Sequence, residues 1–164
     1  MTPELILHFS TFLALVMAII AGVFLTFSDF VMRALRASAP NTGIQSMQVI
    51  NRTVYRSVFL VLLLGMAPVS LAILYFTVSA PMTVGSNWLQ VGSVIYLLGV
   101  FSVTLICNVP MNKRLDGMVL EARETRLYWV KYARNWTLWN HLRTLASAAS
   151  AYCFLMAALQ ITAS

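Results

Sequence analysis

Asp29, Asn51, Asn108, Asn112, Asn140, His141 and Arg143 interrupt or border otherwise apolar stretches, and their side-chain types form a chemically coherent set. An imidazole can abstract a proton as general base. A guanidinium and several amide donors can hold the oxyanion that results. Spacing supports convergence: Asn108 and Asn112 are four residues apart around Pro110, and Asn140 and Arg143 share a helix face at i,i+3, with His141 and Thr144 on the neighbouring one. A purely structural reading competes with this one. Asp29 can pair with Arg33 at i,i+4, the asparagines can join helices by hydrogen bonds, and His141 can sit among lipid headgroups.

The two cysteines, Cys107 and Cys153, form no CxxC, and no Cys/His spacing suits zinc, so the sequence offers neither a zinc site nor a thiol-disulfide centre. Cys107 falls at the end of one apolar stretch and Cys153 about halfway along another, which argues against a disulfide and for packing roles.

The elements that must position these groups are membrane helices. The chain has 164 residues, 60% hydrophobic and only 10% charged, with a mean hydropathy of +0.80. That is too apolar for a water-soluble domain of this length. Four stretches of about 20 residues can each cross a bilayer. The spacing predicts spans over 5–30, 55–78, 88–108 and 140–161 within a single integral membrane domain, 1–164. The first span is not read as a cleaved signal, because Met1-Thr2-Pro3-Glu4 offers no basic segment and the apolar run is long. Ser79-Ala80-Pro81 and Gly85-Ser86-Asn87 mark the turn between the second and third spans. The expected fold class is all-α: an antiparallel four-helix transmembrane bundle.

All eleven Lys and Arg residues lie in or beside the first and third connections. The positive-inside rule then puts those connections in the cytoplasm and both termini outside, as in a multi-pass protein of a bacterial inner membrane. The net charge of +6 reads as orientation and as attraction to the anionic bilayer surface, with no nucleic-acid partner. Ile44, Met47, Asn51, Val54 and Val58 keep helical spacing, so the second helix is expected to start near Thr42 with Asn51 facing inward. Leu115, Met118, Val119 and Ala122 alternate with charged residues, predicting an interfacial amphipathic helix between spans three and four. Tyr128, Trp129, Tyr132, Trp136 and Trp139 form an aromatic band that suits either headgroup anchoring or stacking of a flat substrate. His8 and His141 fall near opposite membrane faces, about 30 Å apart, and cannot share one haem. Haem held by His141 alone stays open as an alternative.

At Asn108-Val109-Pro110-Met111-Asn112 and Trp136-Thr137-Leu138-Trp139-Asn140-His141-Leu142-Arg143-Thr144 the sequence resembles the anthrone oxygenase-like family of small four-helix membrane proteins. The likeness extends to Gly22-Val23-Phe24 and to Met47-Gln48-Val49-Ile50-Asn51-Arg52. It implies oxidation of a polyketide anthrone to an anthraquinone by molecular oxygen as co-substrate, without a cofactor, as in an anthrone-type monooxygenase. His141 would then be the base, with Arg143, Asn108 and Asn112 as oxyanion partners. Trp136, Trp139, Asn140, Tyr132, Asn51 and Asp29 would bind the flat lipophilic substrate. The rival reading is a non-enzymatic membrane protein that binds a lipid or lipophilic small molecule, or stabilises a partner. Oligomerisation stays open in both.

Overall fold

The computed structural model of the chain describes residues 2–79 and 84–162, so Ala80 and Pro81 of the expected turn lie outside the described residues. Among the described residues all regular structure is helical. Four helices are long and apolar enough to cross a membrane: α1 (Pro3–Ala37), α3 (Val58–Ser79), α4 (Ser86–Asp116) and α5 (Arg123–Thr162). A shorter helix, α2 (Pro40–Thr53), lies between the first two. The chain is therefore an all-helical integral membrane protein.

Neighbouring long helices run antiparallel around the bundle, in the order α1, α5, α4, α3. Small residues set the closest approach. A Cβ on Gly99 of α4 would stand 2.6 Å from the Ala146 Cβ of α5, and one on Gly92 would stand 3.1 Å from both Cys153 and Phe154. In lipid, where apolar burial between helices gains little, such close backbone packing is what holds them together. The bundle core comprises Leu13, Met17, Ile20, Phe24, Leu63, Tyr96, Val100 and Phe154, and the Tyr96 hydroxyl donates to the Leu63 carbonyl.

A second core lies at the basic end, where Met32, Ile44, Met47, Leu115, Trp129, Tyr132 and Trp136 pack together. Here α2 folds across the ends of α1, α4 and α5. Pro40 starts α2, its missing N–H being one that no first-turn residue needs. Its inward face carries Ile44, Met47 and Asn51 as expected, but that face does not continue into α3. Val54–Arg56 tighten into a 3₁₀ turn and Ser57 is extended. The Ser57 hydroxyl accepts the Leu60 N–H at 3.2 Å, capping α3, so Val58 points outward.

The expected interfacial helix between the third and fourth spans is not formed. Leu115 and Asp116 end α4, residues 117–122 turn, and Glu124 already belongs to the first turn of α5. Two contacts explain this. Leu115 is buried in the second core, and the Gln48 side-chain amide donates to the carbonyls of Leu115 (2.9 Å) and Met118 (3.1 Å), groups that a continuing helix would keep for its own N–H donors. Arg52 adds a 2.6 Å ion pair to Asp116 across the α2–α4 junction.

Candidate functional site

Where the two cores meet, the five helices leave a cavity of about 380 Å³, within the size range of small-molecule sites. Its walls are mainly apolar, from residues such as Val23, Phe24, Met47, Phe59 and Leu63. Asn51, Thr104, Asn108, Asn112, Asn140 and Arg143 supply the polar groups.

The local backbone explains how α4 presents two of these. Pro110 has no N–H to give to the carbonyl four residues earlier, and its ring crowds that carbonyl. The preceding turn, Thr104–Asn108, widens accordingly to a π-helical one, with the Val109 N–H reaching back to the Thr104 carbonyl. Both Thr104 and Asn108 are buried against α5 as a result. A second π-helical turn, Phe27–Val31, sits on α1 beside the cavity.

Arg143 is the dominant group. It is 5% exposed, and its partners are neutral. One terminal nitrogen, Nη2, donates to Asn140 Oδ1 at 2.6 Å, and Nη1 donates to the Thr104 hydroxyl at 3.3 Å. Its guanidinium carbon lies 4.2 Å from the centre of the Phe24 ring and 5.4 Å from that of Trp136. Nε has no hydrogen-bond partner. Among the described residues the ion pairs are Asp29–Arg33 and Arg52–Asp116, so no carboxylate answers this buried cation. Aromatic faces offset part of the desolvation cost, but the site as it stands favours an anion.

Asn140 fixes the guanidinium. It is fully buried, and its Nδ2 donates to the Phe24 carbonyl and the Ser28 hydroxyl, both at 2.6 Å, which leaves Oδ1 aimed at Arg143. Asn108 Nδ2 donates to the Trp136 carbonyl at 3.3 Å while its Oδ1 has no partner. Asn51 Nδ2 is likewise unpaired; it stands beside the Tyr132 hydroxyl, which donates instead to Asn112 Oδ1 at 2.9 Å. Asn112 Oδ1 also accepts from Trp136 Nε1 at 2.8 Å. Three buried polar atoms of the cavity residues are thus unsatisfied, a costly condition that a bound polar ligand would relieve.

Of the residues singled out in the sequence, Asn51, Asn108, Asn112, Trp136, Asn140 and Arg143 line this cavity, and Tyr132 stands directly behind Asn112. His141, Asp29 and Trp139 do not. His141 and Asp29 line a separate outer groove with Arg33 and Arg36, and Trp139 is 37% exposed. The convergence of His141 with Arg143 and Asn108 is therefore corrected. At about 100° per residue, position 141 is turned roughly 200° from position 143, so one helix cannot aim both into one cavity. The aromatic band is also reassigned: Trp129, Tyr132 and Trp136 stack on one another within the second core, at ring separations of 5.6 and 6.4 Å.

Phe24, Ser28 and Thr104 were missed as site residues. Thr104 was detectable as the residue one turn before Asn108, and Ser28 as one turn after Phe24. Among the described residues no group of three or more His, Cys, Asp or Glu gathers as metal ligands would.

Residues 52–153 match a family model described as anthrone oxygenase. No curated protein and no solved structure matches the chain.

Proposed function

The chain belongs to the anthrone oxygenase family, and from that premise we propose that it oxidises a flat, anthrone-like aromatic substrate with molecular oxygen inside the Arg143 cavity. The observation that carries this reading is a buried guanidinium with no carboxylate partner among the described residues, set in an apolar cavity with unpaired amide groups around it. A neutral hydrocarbon would leave that charge unanswered. A ligand whose carbonyl oxygen becomes an enolate oxygen answers it at the moment charge develops, which is the condition for catalysis.

The reaction balances without a further reductant. The acidified methylene C–H breaks, its proton passes to water, and the negative charge delocalises onto the ring carbonyl oxygen. Arg143 holds that oxygen, oriented by Asn140 and Thr104. The carbanion transfers electrons to oxygen and a C–O bond forms. Cleavage of the O–O bond with loss of the second methylene hydrogen then gives the quinone carbonyl and hydroxide, which takes back the proton released in the first step to leave as water. Phe24 and Trp136, already in contact with the guanidinium, would flank the rings. His141 opens on the outer groove and takes no part.

The charge asymmetry supports a basic end in the cytoplasm of a bacterial inner membrane with both termini outside. The substrate would then enter at the membrane boundary, near Tyr55 and Ser57 on the cavity rim.

The test uses the full chain in lipid nanodiscs with a phenolic anthrone, following quinone absorbance and oxygen uptake against protein-free nanodiscs. Wild type should exceed the spontaneous rate, and Arg143→Gln should fall to it. Ligand binding with no acceleration would overturn the oxygenase reading and leave a lipophile-binding protein.

A further inference from the structure

The outer groove that holds His141 has a chemistry of its own. It occupies about 450 Å³ between the basic end of α1 and the facing stretch of α5, lined by Leu25, Asp29, Arg33, Arg36, Thr137 and His141. Its single carboxylate is already engaged. Arg33 Nη2 donates to Asp29 Oδ1 at 3.1 Å and also to the Asp29 carbonyl, and Nε donates to the same carbonyl at 3.0 Å. The side chains of Arg36 and His141 make no hydrogen bond or ion pair among the described residues. The groove therefore keeps one uncommitted guanidinium and one imidazole, with a neutralised Asp29–Arg33 pair between them.

Its surroundings are graded along the helix axes. Leu25 lies one turn toward the bundle centre from Asp29, and Leu145 lies one turn in the same sense from His141; both are exposed. Arg33 and Arg36 lie on the opposite side, toward the end of α1. A ligand seated here meets cations at one end and bare leucines at the other. A free anion would satisfy only half of that.

We infer that this groove binds the phosphodiester headgroup of an anionic membrane lipid, with Arg36 and His141 on the phosphate and the acyl chains along Leu25 and Leu145. Basic pockets between transmembrane helices at the membrane boundary have this recognition chemistry. The groove and the inner cavity share a wall: Ser28 lines the groove, and its hydroxyl accepts from Asn140, the residue that orients Arg143.

The test is native mass spectrometry and thermal unfolding of the full chain, released from nanodiscs of phosphatidylcholine with a minor fraction of phosphatidylglycerol. Wild type should retain one phosphatidylglycerol in preference to phosphatidylcholine and unfold at a higher temperature when it is present. Arg36→Gln should weaken that retention about fivefold, the effect of removing one arginine near an anionic surface, and His141→Ala should weaken it as well by removing a hydrogen-bond donor to the phosphate. Arg126→Gln, a basic residue outside the groove, should not. Equal loss with Arg126→Gln would overturn the site in favour of diffuse surface charge. Equal stabilisation by millimolar inorganic phosphate in phosphatidylcholine alone would overturn the lipid as its occupant.

Discussion

The inner cavity and the outer groove flank the same turn of α5, and each contains arginine, yet the two guanidinium environments differ in kind. Arg33 in the groove is 76% exposed at its side chain and paired with Asp29. Arg143 in the cavity is 5% exposed, held by an amide and a hydroxyl, and covered by two aromatic faces. Water screens the first charge so thoroughly that its ion pair contributes little, typically under about 1 kcal/mol. The second charge acts through a medium of low dielectric, where each interaction is several times stronger. Burial decides which arginine can do chemistry.

The sharpest way to break this comparison is Arg143→Gln. Removing one preorganised oxyanion donor of this kind costs about 10²–10³-fold in turnover, read as quinone formation in nanodiscs. Its thermal stability should hold or rise, because an unpaired buried charge disappears. A melting temperature that falls along with activity would reduce Arg143 to a packing residue.

Gly99→Val tests whether the cavity depends on the α4–α5 approach. The added carbons meet Ala146, so overpacking should cost about 1–3 kcal/mol in unfolding. It should also separate Thr104 from Arg143 and weaken cavity binding, while lipid retention in the α1–α5 groove persists. Loss of both together would mean that the two sites are not independent structures.

Asn112→Ala leaves the Tyr132 hydroxyl and Trp136 Nε1 without their shared acceptor. Both bonds are partly buried, so roughly 1–2 kcal/mol of stability should be lost, measured by thermal shift in detergent, with ligand affinity reduced through displacement of Trp136. The smallest effect belongs to His141→Ala. An exposed side chain with no partner among the described residues should shift stability by no more than about 0.5 kcal/mol, and turnover per enzyme should stay at the wild-type level in phosphatidylcholine nanodiscs. A large loss of turnover there would place a base in the outer groove and remove the contrast.

Much of the architecture was readable because lipid imposes strict rules. Spans, connections and the one-sided placement of all eleven basic residues followed from hydropathy and charge. The inward face of α2 followed from the spacing of Ile44, Met47 and Asn51, and the pairing of Asn140 with Arg143 from their i,i+3 separation. The interfacial helix was misread because Leu115 and Met118 have amphipathic spacing, but Gln48, 67 residues from Leu115 in the chain, takes the carbonyls at that point. His141 was misgrouped because proximity in sequence outweighed helical phase.

By itself, the sequence determined that this chain crosses a membrane as helices, which end of the bundle is basic, and which amides and cations are available there. Those properties are local: a 20-residue apolar run or a one-sided set of charges keeps its meaning whatever it packs against. Only the tertiary structure decided that Arg143 is enclosed without a counter-ion among the described residues while Arg33 is solvated, and that His141 belongs to another groove. Charge strength depends on what surrounds a group from every helix at once, and the Phe24, Thr104 and Trp136 contacts that enclose Arg143 come from three different segments of the chain.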